Sequence, residues 1–163
     1  MIDLMVESRL EYMGSLDFLI GNEDQRRLMR SIIRSGITHI SVLLQAPNGC
    51  AKTSCGRTMG MEYFGDPIYA ERLRELWFPG KLRSDGCIYE RPAHTRTYFG
   101  YGEIDGTRLS GEELELTLRE CLTVDFHKDR RFIVVDELSR MLQPLRDKFL
   151  KIMEMDVPIF WVF

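Results

Sequence analysis

The stretch His39–Gly56 reads HISVLLQAPNGCAKTSCG. Ile40 to Leu44 is a short apolar run rich in β-branched residues, the signature of a buried strand. Ala46-Pro47-Asn48-Gly49-Cys50-Ala51 is a turn, and Lys52-Thr53 opens a stretch able to be helical. Strand, turn and helix with Lys-Thr at the helix start is the layout of a phosphate-binding loop. Such a loop points backbone N–H groups and a helix N-terminus at the phosphates. Its lysine takes the β and γ phosphates and its hydroxyl takes Mg²⁺. The usual pattern is G-x-x-x-x-G-K-[ST]; here both outer glycines are alanines, Ala46 and Ala51, while Gly49, Lys52 and Thr53 remain. Alanine in a left-handed position costs about 1–2 kcal/mol, which weakens the loop's hold. An ordinary strand-turn-helix with a chance Lys-Thr is the plain alternative.

Phe132-Ile-Val-Val-Asp-Glu137 is the informative partner. A continuous apolar run of four belongs to a strand buried on both faces. Ligands of open α/β sheets sit at the carboxyl ends of strands, which puts Asp136 beside the loop. Its carboxylate can hold Mg²⁺ directly or through water. Glu137 points differently and can orient or deprotonate an attacking water. An acidic pair that merely caps the following turn is the bland reading.

Working outward, Leu4, Met5, Leu10 and Met13 can line a short helix ended by Gly14-Ser15. Asn22 with Gln25 reads as a capping box. Gln25 to Arg34 then follows as a helix with Leu28, Met29, Ile32 and Ile33 on one face, closed by Gly36 at C′. A helix from Lys52 to Tyr63 is expected, although Gly56 and Gly60 weaken it. Residues 64–96 read as an insertion with turn signals and a helix over Ile68 to Trp77. Their arginines and lysines are nearly balanced by acids, so a solvated surface is preferred to a nucleic-acid patch. Thr97 to Ile104 reads as one strand and Asp105-Gly106 as a turn. Ser110 with Glu113 forms a second capping box, ahead of a helix with Leu114, Leu118, Cys121 and Leu122 on one face. A further helix spans Leu142 to Met155 with Leu145, Phe149 and Ile152 inward, and Ile159 to Phe163 is a last strand. Strands alternating with helices predict a parallel sheet with helices on both faces.

Composition sets the outer limits. The chain has 163 residues, enough for one domain with a real core, and its 44% apolar content is ordinary for a globular fold. Net charge is −3, so there is no bulk electrostatic case for nucleic acid. No run approaches the roughly 18 apolar residues of a membrane helix, and the start lacks a basic-then-apolar signal pattern. Cys50, Cys55, Cys87 and Cys121 contain no C-x-x-C pair, which favours reduced thiols in a cytoplasmic (or nuclear) protein. A zinc site from Cys50, Cys55, Cys87 and His94 matches no common spacing.

Three segments together resemble a known family. GNEDQRRLMRSIIRSGITHISVLLQAPNGCAKTS, YGEIDGTRLSGEELELTLREC and FIVVDELSRMLQPLRDKFLKIMEMDVPIFWVF are similar to the opening helix and phosphate loop, the next strand and helix, and the strand–Asp-Glu–helix run of clamp-loader AAA+ ATPases. These are the bacterial DNA polymerase clamp-loader subunits and their replication factor C relatives. The similarity covers roughly residues 17–63 and 98–163. It implies an α/β P-loop NTPase (AAA+) core over residues 1–163, a parallel sheet flanked by helices, with the insertion at 64–96. It implies ATP and Mg²⁺ as cofactors. Ile20 would lie near the adenine, and Pro47, Asn48, Gly49, Cys50, Ala51, Lys52, Thr53 and Ser54 would bind the nucleotide. Thr53 and Asp136 would hold the metal and Glu137 would activate water. The family's sensor residue, arginine finger, fifth strand and helical lid follow its fourth core strand, so the core is expected to be incomplete after that strand, with Ile40 to Leu44 at an open edge. Implied partners are other AAA+ subunits, in a hetero- or homo-oligomer, and beyond them a sliding clamp and DNA, with no membrane. Two other functions compete: a nucleotide-sensing or scaffold subunit that has lost turnover, and a different P-loop enzyme such as a nucleoside kinase, for which no substrate-side motif is visible.

Overall fold

Phe132-Ile-Val-Val forms the middle of a sheet because both of its faces are covered: the four side chains are at most 3% exposed. The computed structural model describes residues 15–18, 22–47, 50–66, 73, 95–98, 100–107, 109–122, 130–154 and 158–163. The strands are β1 (Ile40–Val42), β2 (Thr95–Tyr98), β3 (Tyr101–Asp105), β4 (Phe132–Asp136) and β5 (Phe160–Val162), in the order β1-β5-β4-β3-β2. β1, β5, β4 and β3 are parallel, while β2 runs antiparallel to β3 at the far edge. The helices are α1 (Glu23–Arg34), α2 (Lys52–Phe64), α3 (Gly111–Leu122) and α4 (Gln143–Met153), with short 3-10 turns at Leu16–Phe18 and Leu138–Arg140.

Strand alternation sorts the core into two layers. Phe132, Val134, Phe160 and Val162 face one side, where α2 brings Cys55, Met59 and Tyr63 and α1 adds Met29, Ile32 and Ile33. Ile133, Val135, Ile159 and Trp161 face the other, against Leu114 and Leu118 of α3 and Phe149 of α4. The result is an α/β fold whose sheet has four parallel strands, with helices on both faces. As expected, β1 stands at an edge of the sheet.

Some expectations change. The strand expected over Thr97 to Ile104 is a hairpin: Tyr98 pairs with Tyr101, and Gly100 turns the chain at φ 78°. A side chain there would also strike the Arg130 carbonyl, 2.7 Å from a Cβ. The sheet is therefore mixed. Leu28 lies on the solvent side of α1, 60% exposed, while Met29, Ile32 and Ile33 pack inward. Asn22 does precede α1, but in the left-handed region (φ 50°) its side chain makes no capping bond; its carbonyl accepts from Arg26 N–H instead. The second box forms in full: Ser110 Oγ accepts from Glu113 N–H at 3.2 Å, and Glu113 Oε2 from Ser110 N–H at 2.9 Å. The expected helices within 1–18 and 68–77, and most of the insertion, lie outside the described residues. No described helix is long and apolar enough to cross a membrane.

The glycines of α2 have a packing role that outweighs their poor helix propensity. A Cβ on Gly56 would meet Val134 Cγ1 at 3.0 Å, and one on Gly60 would meet Tyr101 Cε2 at 2.9 Å and Phe132 at 3.2 Å. These positions let α2 lie directly on the sheet and fix where its N-terminus falls. Gly60→Val should therefore lower stability by about 1–3 kcal/mol through overpacking. A urea midpoint shift at unchanged slope measures it; an unchanged midpoint would show that α2 can ride higher on the sheet without loss.

Candidate functional site

β1 leads directly into the loop. Its pairing with β5 continues past Val42, with Leu44 N–H donating to the Phe163 carbonyl at 2.7 Å. Lys52, at the start of α2, folds its ammonium back to donate to the Ala46 carbonyl at 2.9 Å and the Pro47 carbonyl at 3.1 Å. The lysine thereby closes the loop on itself. Ala51 caps α2 in the left-handed region at φ 56°, ψ 30°. Only glycine adopts that conformation without a steric cost. Ala46 needs no left-handed backbone. Of the two alanines in the motif, Ala51 alone is strained.

Sheet order carries Asp136 to the loop. β5 lies between β1 and β4, so the carboxyl end of β4 comes beneath the start of α2. There Thr53 Oγ1 donates to Asp136 Oδ2 at 2.5 Å, linking residues 83 positions apart. The other carboxylate oxygen, Oδ1, accepts from Glu137 N–H at 3.0 Å. Glu137 itself is left-handed, φ 54°, and starts the turn Leu138–Arg140. Its carboxylate meets Arg140 Nε at 3.3 Å, with the two side chains 38% and 64% exposed.

A cleft of about 450 Å³ opens at this carboxyl end. Lys52, Thr53, Asp136 and Glu137 all line it, so the structure brings together the four residues on which the motif reading rests. Pro47, Cys50, Ala51 and Ser54 belong to the loop or the first turn of α2 but not to the cleft wall. Ile20, Asn48 and Gly49 lie outside the described residues. Among the wall residues the motif reading missed are Leu138, Ser139 and, from α4, Arg146. Leu138 and Ser139 directly follow the Asp-Glu pair, whereas a sequence pattern has no handle on Arg146, because α4 reaches the cleft only through the fold.

The donor set suits a Mg²⁺ carried by a nucleotide. Mg²⁺ favours six oxygens, several of them water and phosphate, with one or two carboxylates. The Thr53 hydroxyl and Asp136 carboxylate supply two oxygens side by side. Among the described residues no group of three or more His, Cys, Asp or Glu forms a self-sufficient metal cage. Cys55 is buried against Met29, and burial pushes its thiol up to about 11, so it is an inert core group. Cys50 is exposed in the loop.

Behind the cleft, Arg57 of α2 grips Glu103 of β3 with two guanidinium bonds, at 2.9 and 2.5 Å, and the Tyr101 hydroxyl donates to the same carboxylate at 3.1 Å. Burial opposes the Arg57 charge. The bonds to Glu103 and the carboxylates of Glu103 and Asp136 more than restore it, and the guanidinium is held above its ordinary range.

The geometry makes the cost at Ala51 testable. Ala51→Gly should stabilise the loop by about 1 kcal/mol, and Ala46→Gly should not. Thermal melts of the two single variants read this directly. Equal shifts, or none, would show that the left-handed turn is tolerated at no cost.

No family model, curated protein or solved structure matches the chain.

Proposed function

We propose that the chain is an ATP-binding module of the AAA+ type, resembling a clamp-loader subunit, that takes ATP with Mg²⁺ in the cleft between the loop and β4. The observation that carries the reading is the 2.5 Å bond from Thr53 Oγ1 to Asp136 Oδ2. It places a hydroxyl and a carboxylate together at a helix N-terminus that also bears Lys52. Phosphoryl transfer is mainly positioning and neutralisation of charge. Lys52 exchanges its two carbonyl partners for phosphate oxygens. Thr53 and Asp136 would hold Mg²⁺, which would supply charge neutralisation at the phosphates. Glu137 orients the attacking water. Hydrolysis belongs to an oligomer with other AAA+ subunits, in which a neighbour adds positive charge; a sliding clamp and DNA are the partners the resemblance suggests.

A non-catalytic reading has an observation of its own: Glu137 is engaged with Arg140, and a nucleotide-sensing or scaffold subunit needs binding without turnover. Calorimetric titration of Mg·ATP, with EDTA as control, tests the shared claim. Saturable, metal-dependent binding sustains both readings, and absence of binding removes both. Turnover that rises when DNA is added favours the ATPase.

A further inference from the structure

We propose a second anion site, at the amino end of the sheet, in which Arg130, Arg131 and the Tyr63 hydroxyl bind a doubly charged phosphate group. It does not depend on the nucleotide reading. Tyr63 lies three turns along α2 from Lys52, about 16 Å away along the helix axis. Arg130 and Arg131 lead into β4, at the end opposite Asp136.

Donors outnumber acceptors at this end. Tyr63 is 4% exposed, its ring wedged against Phe132 and Phe160, and its hydroxyl has no hydrogen-bond partner. Arg131 Nε is also shielded from solvent and without a partner. The Arg130 guanidinium lies over the Tyr63 ring, 5.8 Å from its centroid, and Nη1 donates to the Tyr63 carbonyl at 3.0 Å. Arg30, Arg57 and Arg140 each hold a carboxylate, whereas among the described residues Arg130 and Arg131 hold none. Burial pushes the Tyr63 phenol above its ordinary value, which keeps it a donor, and the Arg130 and Arg131 charges both reach it with the opposite effect. Buried donors left unpaired bear their full desolvation cost, and each calls for an acceptor. Here two cations and a hydroxyl call for the same one. The main chain beneath is fixed: Phe132 N–H donates to the Gly100 carbonyl and Phe160 N–H to the Arg131 carbonyl, both at 2.8 Å. A phosphate, carrying roughly −1.5 to −2 near neutral pH, matches two guanidinium charges and has oxygens enough for all three groups. Guanidinium groups also suit its planar pairs of oxygens. A carboxylate brings one charge and two oxygens.

The test follows thermal unfolding of the full chain as inorganic phosphate is raised, with ionic strength held constant by chloride. Lys52→Ala is the parent throughout, so that the loop adds no phosphate binding of its own. A ligand that binds only the folded state raises the melting temperature as its concentration rises. Phosphate should do this and acetate should not. Arg131→Gln should weaken the phosphate response about tenfold or more. Tyr63→Phe is the sharper variant. It removes a buried, unpaired hydroxyl, so it should melt above its parent without phosphate and respond to phosphate about tenfold more weakly. Glycerol phosphate separates two sources of the same chemistry: an equal response assigns the site to a phosphoryl group on a larger molecule, a lost one to free phosphate, and both sustain it. No rise with phosphate overturns the proposal. So does an equal rise in parent and variants, which puts the anion elsewhere, or an equal rise with acetate, which is unspecific. Loss in Arg131→Gln with a full response in Tyr63→Phe also overturns it, leaving a surface arginine and no built site. Should Arg131→Gln fail to fold, Arg130→Gln takes its place, with the same loss required.

Discussion

On the proposed function, Lys52→Ala should remove nucleotide binding, while Glu137→Gln should bind Mg·ATP like the wild type and turn it over about 10²–10⁴-fold more slowly. The two effects separate because the side chains meet different atoms. Lys52 already spends its ammonium on two carbonyls of its own loop, at 2.9 and 3.1 Å, so a phosphate competes with weaker, neutral acceptors. Without the lysine, that charge has no substitute on the loop side. Glu137 starts from a different state, paired with Arg140 across an exposed contact. Such pairs contribute about 0–1 kcal/mol, so the carboxylate can leave Arg140 for a water at small cost. Glutamine keeps the shape and loses the base. Titration of a labelled ATP analogue, followed by phosphate release in the assembled complex, checks both halves. Wild-type turnover in Glu137→Gln would make Glu137 a turn residue only. Normal binding by Lys52→Ala would remove the loop from the phosphate site altogether.

The loop and the Asp136-Glu137 pair were legible because their chemistry is local in the chain. A strand, a tight turn and Lys-Thr occupy consecutive residues, and an apolar run ending in acids places its own carboxylates. The capping box at Ser110 and Glu113 was legible for the same reason. Asn22 and Gln25 show the limit: the spacing is right, but a left-handed Asn22 turns its side chain away from the N–H groups it would cap. The hairpin at Tyr98 and Tyr101 was hidden because one glycine, Gly100, interrupts an otherwise continuous β-rich run. Gly56 and Gly60 looked like helix-weakening residues, and their value appears only once Val134, Tyr101 and Phe132 lie beneath them. Arg146 was invisible as a cleft residue because only the seating of α4 brings it to the end of β4.

Glu103 was the least legible residue of all, and its loss should be the most damaging to the fold. In the sequence it is one acid in an apolar strand. In the structure it is 7% exposed and holds Arg57 with two bonds. Glu103→Ala leaves the Arg57 guanidinium in a buried position without the carboxylate that offsets its desolvation, which costs about 3–5 kcal/mol. Against a total stability of about 5–15 kcal/mol, that is enough to leave a marginal domain largely unfolded when warmed. The cost comes from the charge left behind, so removing both charges should repair most of it. Arg57→Met with Glu103→Leu fills the same space with apolar groups and is expected to unfold within about 1–2 kcal/mol of the wild type. Urea unfolding of the two singles and the double gives the coupling directly. Additive losses would show that Arg57 finds water when Glu103 is gone and that the pair is not a buried tie between α2 and β3. A strong coupling makes the pair that tie: it holds the helix bearing Lys52 and Thr53 to the strand beside Asp136, one turn behind Thr53.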